Sequence, residues 1–552
     1  MMLSLPSRHF LPLTAVVVVW GCSPTDLDTP DDDDLVAVGD GKADNFFSNA
    51  ASEYYVDGVS NLVLDESYVH RPAADKLARA RQLMGLKTIQ IGWFLHVRLV
   101  DKEEGGGEHG DQNADTYPGF HALVRDGEYL NNGLTALPDG KSYTFNVRLQ
   151  VAGQKQLLSK LPGTMIDATH KRFTLKMGRV SNTDLARLEA EHEWFRDDQW
   201  DSGTFDPTKL RPEELDPIEL TISPQPSSRD AYPDINNLFA DGRLTIDVHY
   251  GWDYWSRYDL SLSRELYQSL VEKGFRSPAP SYGGYRPQSG PLTKTINANG
   301  KPISVEIRIY HGSDDTGKVA GPNPDTDQGG LQMEKDMYAS LAQSDVVVFS
   351  GHSGNYYGFA LANWKKTARG ALDYPQLRDA QMPRDRYQLV LASGCDTFSI
   401  GQAFRENPNK MGLANLDVIT STTFSNASSN DEIEALFAAL FAHTSTKGRF
   451  VPHTYGELLA QMNGRWDIGA MYGVHGIDDN PRLHPFADVT TLGKSCTRNG
   501  QCGGDGNRCT SVGAKRVCSA TCLDDSACPT GYRCQQVAST SSSRIVGRQC
   551  LK

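Results

Sequence analysis

Two short apolar runs dominate the hydrophobic pattern, residues 345–350 and 387–393, each closed by a glycine turn. Neither alternates polar with apolar positions. A strand that is apolar throughout is covered on both faces, the condition of a parallel strand inside an α/β sheet. Around these runs the pattern switches repeatedly between the period of a strand and that of a helix. Further strands are predicted at 243–249, 303–310 and 416–422. Helices are predicted at 261–273, 331–342, 374–380, 400–405, 431–442 and 454–463, with Gly274 as the stop of the first. Such alternation predicts a parallel sheet with right-handed crossovers, an α/β domain over residues 238–488.

The flanks read differently. Residues 88–99, 143–151, 172–177 and 217–222 show strand alternation, and 74–84 and 183–195 show helical periodicity, the latter with Asn182 as its cap. Together they predict a β-rich accessory domain over 49–235, interrupted by a flexible loop at 103–113. After residue 494 the chain is rich in Gly, Ser and Asp and poor in aliphatic residues, so a core cannot stabilise it unaided. Between residues 23 and 44 it is Asp, Pro and Gly, including Asp31 to Asp34, with too little apolar surface to fold. Residues 22–48 therefore form an acidic tether.

Composition adds a compartment. At 552 residues and 39% hydrophobic content, the chain is long enough for several globular domains. Its net charge of −13 argues against nucleic acid as a partner. Arg8 and His9 precede an apolar run, Phe10 to Gly21, that is too short to span a bilayer but suits an export signal. That run ends in Val19, Trp20, Gly21 and Cys22, which resembles the lipobox of bacterial lipoproteins. The resemblance implies a signal peptide over 1–21 and a lipid on Cys22 that anchors the chain to a membrane. It places the protein at the outer membrane or cell surface, or otherwise in the periplasm or medium; an ordinary cleaved signal is the alternative. Cys496, Cys502, Cys509, Cys518, Cys522, Cys528, Cys534 and Cys550 form an even set at the density of a disulfide framework, a module spanning 494–552 of unknown partner. Setting these and Cys22 aside leaves Cys395 alone. An unpaired thiol in an oxidising compartment is a liability unless it is buried or used.

Cys395 follows one apolar run and His352 follows the other, so neighbouring strands would deliver both to the carboxyl edge of the sheet. This order, with a His-bearing turn after one strand and a Cys-bearing turn after the next, resembles the caspase-like cysteine peptidases, which include caspases, gingipains, clostripain, legumains and separase. The resemblance covers about residues 238–486. It implies a caspase-like α/β sandwich and peptide-bond hydrolysis of a protein or peptide substrate, with Cys395 as nucleophile and His352 as acid–base partner. It also implies oxyanion donors from the backbone amides of Cys395 and of Ser353 or Gly354. In that family the loop after the first strand binds a substrate side chain; the matching loop carries Asp253, suited to Arg or Lys. Two departures stand out: Ser353 separates His352 from Gly354, and Gly394 precedes the cysteine.

Two other readings stay open. Residues 351–355 fall one residue short of the nucleophile elbow of α/β-hydrolases, which would make Ser353 the nucleophile of a serine hydrolase. Alternatively the α/β domain is a non-catalytic scaffold in a surface binding or adhesion lipoprotein. No cofactor is required by any of these. Asp314, Asp315, Asp325 and Asp327 in one loop offer ligands to calcium, although their spacing matches no EF-hand. His249 and His311, at strand ends, read as structural residues.

Overall fold

The computed structural model describes residues 46–47, 51–99, 121–124, 134–154, 158, 161, 163–179, 211–225, 229–252, 258–354, 358–394, 397–421, 429–463, 472–538 and 545–552. Cys22, Asp253, Cys395, the acidic tether, the loop at 103–113 and the helix expected at 183–195 lie outside them.

The α/β sheet is built from six strands: β1 (Arg243–Tyr250), β2 (Lys301–Tyr310), β3 (Val346–Ser350), β4 (Gln388–Ser393), β5 (Leu416–Ser421) and β6 (Tyr472–His475). Their order across the sheet is 2-1-3-4-5-6. The first five run parallel and β6 is antiparallel to β5. The strand Leu292–Ala298 extends the β2 edge and Phe46–Phe47 pairs with β6 at the other, both antiparallel. Neither β6 nor Leu292–Ala298 stands out in the hydrophobic pattern.

The helices are α1 (Tyr258–Glu272), α2 (Asp327–Gln343), α3 (Tyr374–Arg378), α4 (Phe398–Arg405), α5 (Asp431–Phe437) and α6 (Tyr455–Asn463). Gly274 adopts φ +88° just beyond α1, where a side chain would be strained. Two separate cores show how the layers stack. Leu262, Leu266 and Leu270 of α1 pack with Ile246, Val248, Val348 and Leu391 on one face of the sheet, together with α5 and α6. Met333, Met337 and Leu341 of α2 pack with Val347, Phe349, Val390 and Ala392 on the other, together with α3 and α4. Every residue of β3 and β4 is buried. That is why these strands show no alternation: both faces are inside, and each large side chain so buried contributes about 1.5–3 kcal/mol.

A seven-stranded antiparallel sheet precedes this domain. Ala51–Val63 pairs along its full length with Ser142–Gln154 and also with Leu215–Pro224, which in turn pairs with Lys171–Gly178. The strand expected at 88–99 is not formed. Those residues continue one helix, Ala73–Leu99, whose Ala80, Leu83, Met84 and Ile91 enter the core with Phe145, Leu149 and Leu175. The buried positions recur every three or four residues, and that period overrides the chance alternation of Ile89, Ile91, Trp93 and Leu95. Thr88 adapts by donating its hydroxyl to the Met84 carbonyl at 2.8 Å.

The C-terminal segment consists of two successive four-cysteine units. Cys496–Cys509 and Cys502–Cys518 close the first; Cys522–Cys534 and Cys528–Cys550 close the second. In each, the first cysteine bonds the third and the second bonds the fourth. Both units dock on the α/β domain. Arg449 pairs with Asp505 at 2.7 Å, and Arg482 with Asp524 at 3.5 Å. The link between domain and units is anchored at Asp417 of β5, whose Oδ2 accepts from the Tyr387 hydroxyl, from Tyr455 (2.5 Å) and from Asn480 (2.5 Å). Burial pushes the Asp417 carboxyl up to about 7.

Candidate functional site

The strand order reverses direction between β1 and β3, because β1 leads out to β2 and the connection through α2 returns across β1 to β3. In open α/β sheets ligands bind beyond the carboxyl ends of the strands at such a point. Here the β1 and β3 ends touch: a β-carbon at Gly351 would lie 2.8 Å from Gly251 Cα, so only glycine allows the approach. His352 is the next residue and is half-buried, and its carbonyl accepts the Ala360 amide at 3.0 Å.

β3 and β4 are hydrogen-bonded neighbours in a register that sets Ser350 opposite Ser393, and the Gly351 amide donates to the Ser393 carbonyl at 3.0 Å. His352 and Cys395 each stand two residues beyond that pair in sequence. The turns that carry them are in contact. A β-carbon at position 394 would fall 2.2 Å from Ser353 Oγ and 2.7 Å from the Gly351 carbonyl oxygen. Thus the residues flanking His352 pack on the residue preceding Cys395. This also explains Gly394, since even alanine would collide there.

Hydrogen bonds fix the chain on both sides of residues 395–396. Ser421 Oγ, at the end of β5, donates to the Gly394 carbonyl at 2.5 Å. Thr397 Oγ1 donates to the Ala392 carbonyl at 2.7 Å and accepts the Ser421 amide at 2.8 Å. Ser393 Oγ donates to Glu432 Oε1 at 2.8 Å and lies 3.1 Å from the Tyr472 hydroxyl. Burial pushes the Glu432 carboxyl up to about 7, against the pull of its hydrogen bonds. Sequence reasoning did not find Glu432 or Tyr472. The available signal was a carboxylate at the position in α5 where Ala435 and Leu436, one turn on, face the core.

Ser353 is 3% exposed and opens the short strand Ser353–Gly354, which pairs antiparallel with Gly358–Ala360. A nucleophile elbow needs a strand, a sharp turn and a helix. Here a hairpin follows β3, so the serine-hydrolase reading of Ser353 lacks its scaffold. The four aspartates proposed for calcium go separate ways. Asp314 accepts from Thr316 and from the Lys318 and Val319 amides; Asp325 pairs with Lys366 at 2.6 Å; Asp327 accepts from Thr367. Among the described residues they are not gathered into one metal site with Asp315. All eight C-terminal cysteines are oxidised, which removes thiolate zinc ligands there.

His249, Ser340 and Asp247 form a chain beneath the β1 end, with His249 Nε2 2.8 Å from Ser340 Oγ, which donates to Asp247 Oδ2 at 2.7 Å. All three are buried, and Ser340 Oγ also lies 3.0 Å from the Asp336 carbonyl one turn back in α2. The arrangement suits packing, not nucleophilic attack. Burial pushes His249 down to about 3, which keeps it neutral, and its ring stacks on Tyr310 at 4.2 Å. A cavity of about 460 Å³ opens over the ends of β1 and β2, lined by Tyr310, His311, Arg286, Gln332 and Asp336. Residues 351–354 do not line it, and the contacts between the two turns lie at β3 and β4. Compared with known proteins, the chain matches no family model and no curated sequence.

Proposed function

We propose that the protein is an exported, caspase-like cysteine endopeptidase in which Cys395 is the nucleophile and His352 its acid–base partner. The observation that carries this reading is the matched register of β3 and β4, with Gly351 and Ser353 against Gly394. Two strands of equal reach bring Gly351, which precedes His352, and Gly394, which precedes Cys395, to the same edge. The contacts of Ser393, Gly394 and Thr397 favour the same reading, because a nucleophile gains most when its backbone is held before substrate arrives.

In the proposed reaction the Cys395 thiolate adds to the scissile carbonyl and the peptide oxygen takes the negative charge. Backbone amides at Cys395 and at Ser353 or Gly354 stabilise that oxyanion. The C–N bond then breaks, and His352 gives its proton to the departing amine, leaving a thioester on Cys395. Water, deprotonated by His352, attacks the thioester; the acid product leaves and the thiol is restored. Asp253, in the loop after β1, would receive a basic side chain of the substrate.

The test is cleavage of an unbiased peptide library. The wild type is expected to cut, and Cys395→Ala to lose at least about 10³-fold in rate. Equal cleavage by both proteins, or by neither, would replace this reading with that of a non-catalytic surface binding protein. The export half of the proposal is separate: labelled fatty acid should enter the wild type and not Cys22→Ala.

A further inference from the structure

We infer that the cavity over the ends of β1 and β2 binds a short peptide with both termini free, its amino group against Asp336 and its carboxylate against Arg286 and the first turn of α2. No residue of the turns bearing His352 and Cys395 takes part, so the site is independent of the peptidase reading. At about 460 Å³ the cavity falls within the usual size of a small-molecule site. Arg286 and Asp336 both line it. Arg286 is exposed, and among the described residues its guanidinium makes no ion pair or hydrogen bond. The half-buried Asp336 carboxylate accepts from Gln332 at 2.8 Å, and among the described residues no cation pairs with it. Asp247, on the same face of the sheet, differs: it already has Ser340, Ser344 and, at 3.9 Å, Arg308. One cavity thus holds a carboxylate and a guanidinium, each without a counter-ion, which suits a ligand that carries both charges.

Spacing sets the length of that ligand. Gln328 and Gly329, in the first turn of α2, line the cavity together with Asp336. Asp336 lies eight positions beyond Gln328, about 12 Å along the helix. The first turn is the positive end of the helix and favours a carboxylate. Three residues of extended chain span about 10 Å, so a tripeptide reaches from one pole to the other and a single amino acid does not. The wall between the poles also offers an acceptor. His311 is 5% exposed, its Nδ1 lies 3.0 Å from the Gly312 carbonyl and donates to it, and its Nε2 has no partner among the described residues. That nitrogen is left to accept, as a peptide N–H requires. The loop after β2 that closes this end is fixed in advance. The Ser313 amide donates to the Pro322 carbonyl at 2.8 Å, a β-carbon at Gly321 would lie 2.7 Å from the His311 carbonyl oxygen, and one at Gly329 would collide with the Asn323 carbonyl. A wall so held loses little freedom when a ligand enters.

The experiment is calorimetric titration of the full-length protein with trialanine at pH 7. Trialanine should bind saturably. N-acetyl-trialanine, which lacks the ammonium, and trialanine amide, which lacks the carboxylate, should each bind at least about tenfold more weakly, the worth of one charged hydrogen bond. Alanine alone should show the same loss. Asp336→Asn should weaken trialanine by at least about tenfold and leave the residual affinity for the acetylated peptide unchanged; Arg286→Gln should do the same for trialanine and the amide. The capped peptides test the wild type directly, so the assignment stays falsifiable if Asp336→Asn does not fold. Absence of saturable trialanine binding would overturn the inference, as would capped peptides or alanine that bind as tightly as trialanine.

Discussion

The α/β sheet and the two C-terminal units solve one problem with different materials. In the sheet, β3 and β4 are buried at every residue and each face has its own aliphatic core. In the C-terminal units, strands such as Asn507–Val512 alternate between buried and exposed and end exposed, and the buried clusters are made largely of cystine: Cys496, Cys502, Cys509 and Cys518 in one, Cys522, Cys534 and Cys550 in the other. The sheet is stable because of what its folded state buries; the units are stable because cross-links restrict their unfolded state. A site that must hold two turns in register belongs in the first kind of structure.

Reduction should separate the two regions most sharply. Each bridge contributes about 2–5 kcal/mol in a segment with so little apolar core. Dithiothreitol should therefore make the chain beyond residue 494 sensitive to limited proteolysis, while circular dichroism of the α/β domain persists; simultaneous loss of both would break the distinction. Phe349→Ala is the converse probe. Phe349 is fully buried and stacks on Phe359 at 4.1 Å, so truncation should cost about 3–5 kcal/mol in urea unfolding and leave all four disulfides formed.

Acidity offers a third, smaller lever. The Asp417 carboxyl titrates at about 7 when folded, against 3.8 as an ordinary aspartate. Between those values the folded protein keeps a proton that the unfolded chain has released. Stability contributed by the neutral carboxyl is therefore complete below about pH 4 and is lost as pH rises through 7, on the order of 2–4 kcal/mol. Glu432 shifts in the same direction, so Asp417→Asn should flatten part of the fall in melting temperature between pH 5 and 8, not all of it. The smallest effect belongs to the seam between the two regions. Arg449→Ala removes a partly exposed pair with Asp505 and should cost no more than about 1 kcal/mol, read as a slight rise in proteolysis of the first cysteine unit.

Sequence revealed the strands whose physics is local and missed those whose physics is not. Val346 to Phe349 and Leu389 to Ala392 could be read because burial on both faces leaves no polar position. β6 and Leu292–Ala298 could not: β6 is only four residues long, flanked by Phe46–Phe47, and Leu292–Ala298 lies at the sheet edge, each held by its neighbours' hydrogen bonds more than by its own pattern. Residues 88–99 misled because β-branched and aromatic side chains alternate there, while the helical period becomes visible only when Ala80, Leu83 and Met84 are counted with Ile91. For the candidate site, strand ends and cysteine arithmetic nominated His352 and Cys395. Glu432, Ser393, Tyr472 and Ser421 were not, because they come from four different segments and only the folded sheet assembles them.

The pairing inside the C-terminal units has a consequence for how the chain is made. Cysteines emerge in the order 496, 502, 509, 518, and an oxidant that joins them as they appear makes Cys496–Cys502 first, which is not a native bond. The second unit poses the same problem at Cys522 and Cys528. Oxidation in that order would have to be followed by thiol exchange to reach the native pairs. No bond joins the two units, so a unit that oxidises by itself has three arrangements to sort through, against 105 for all eight cysteines together.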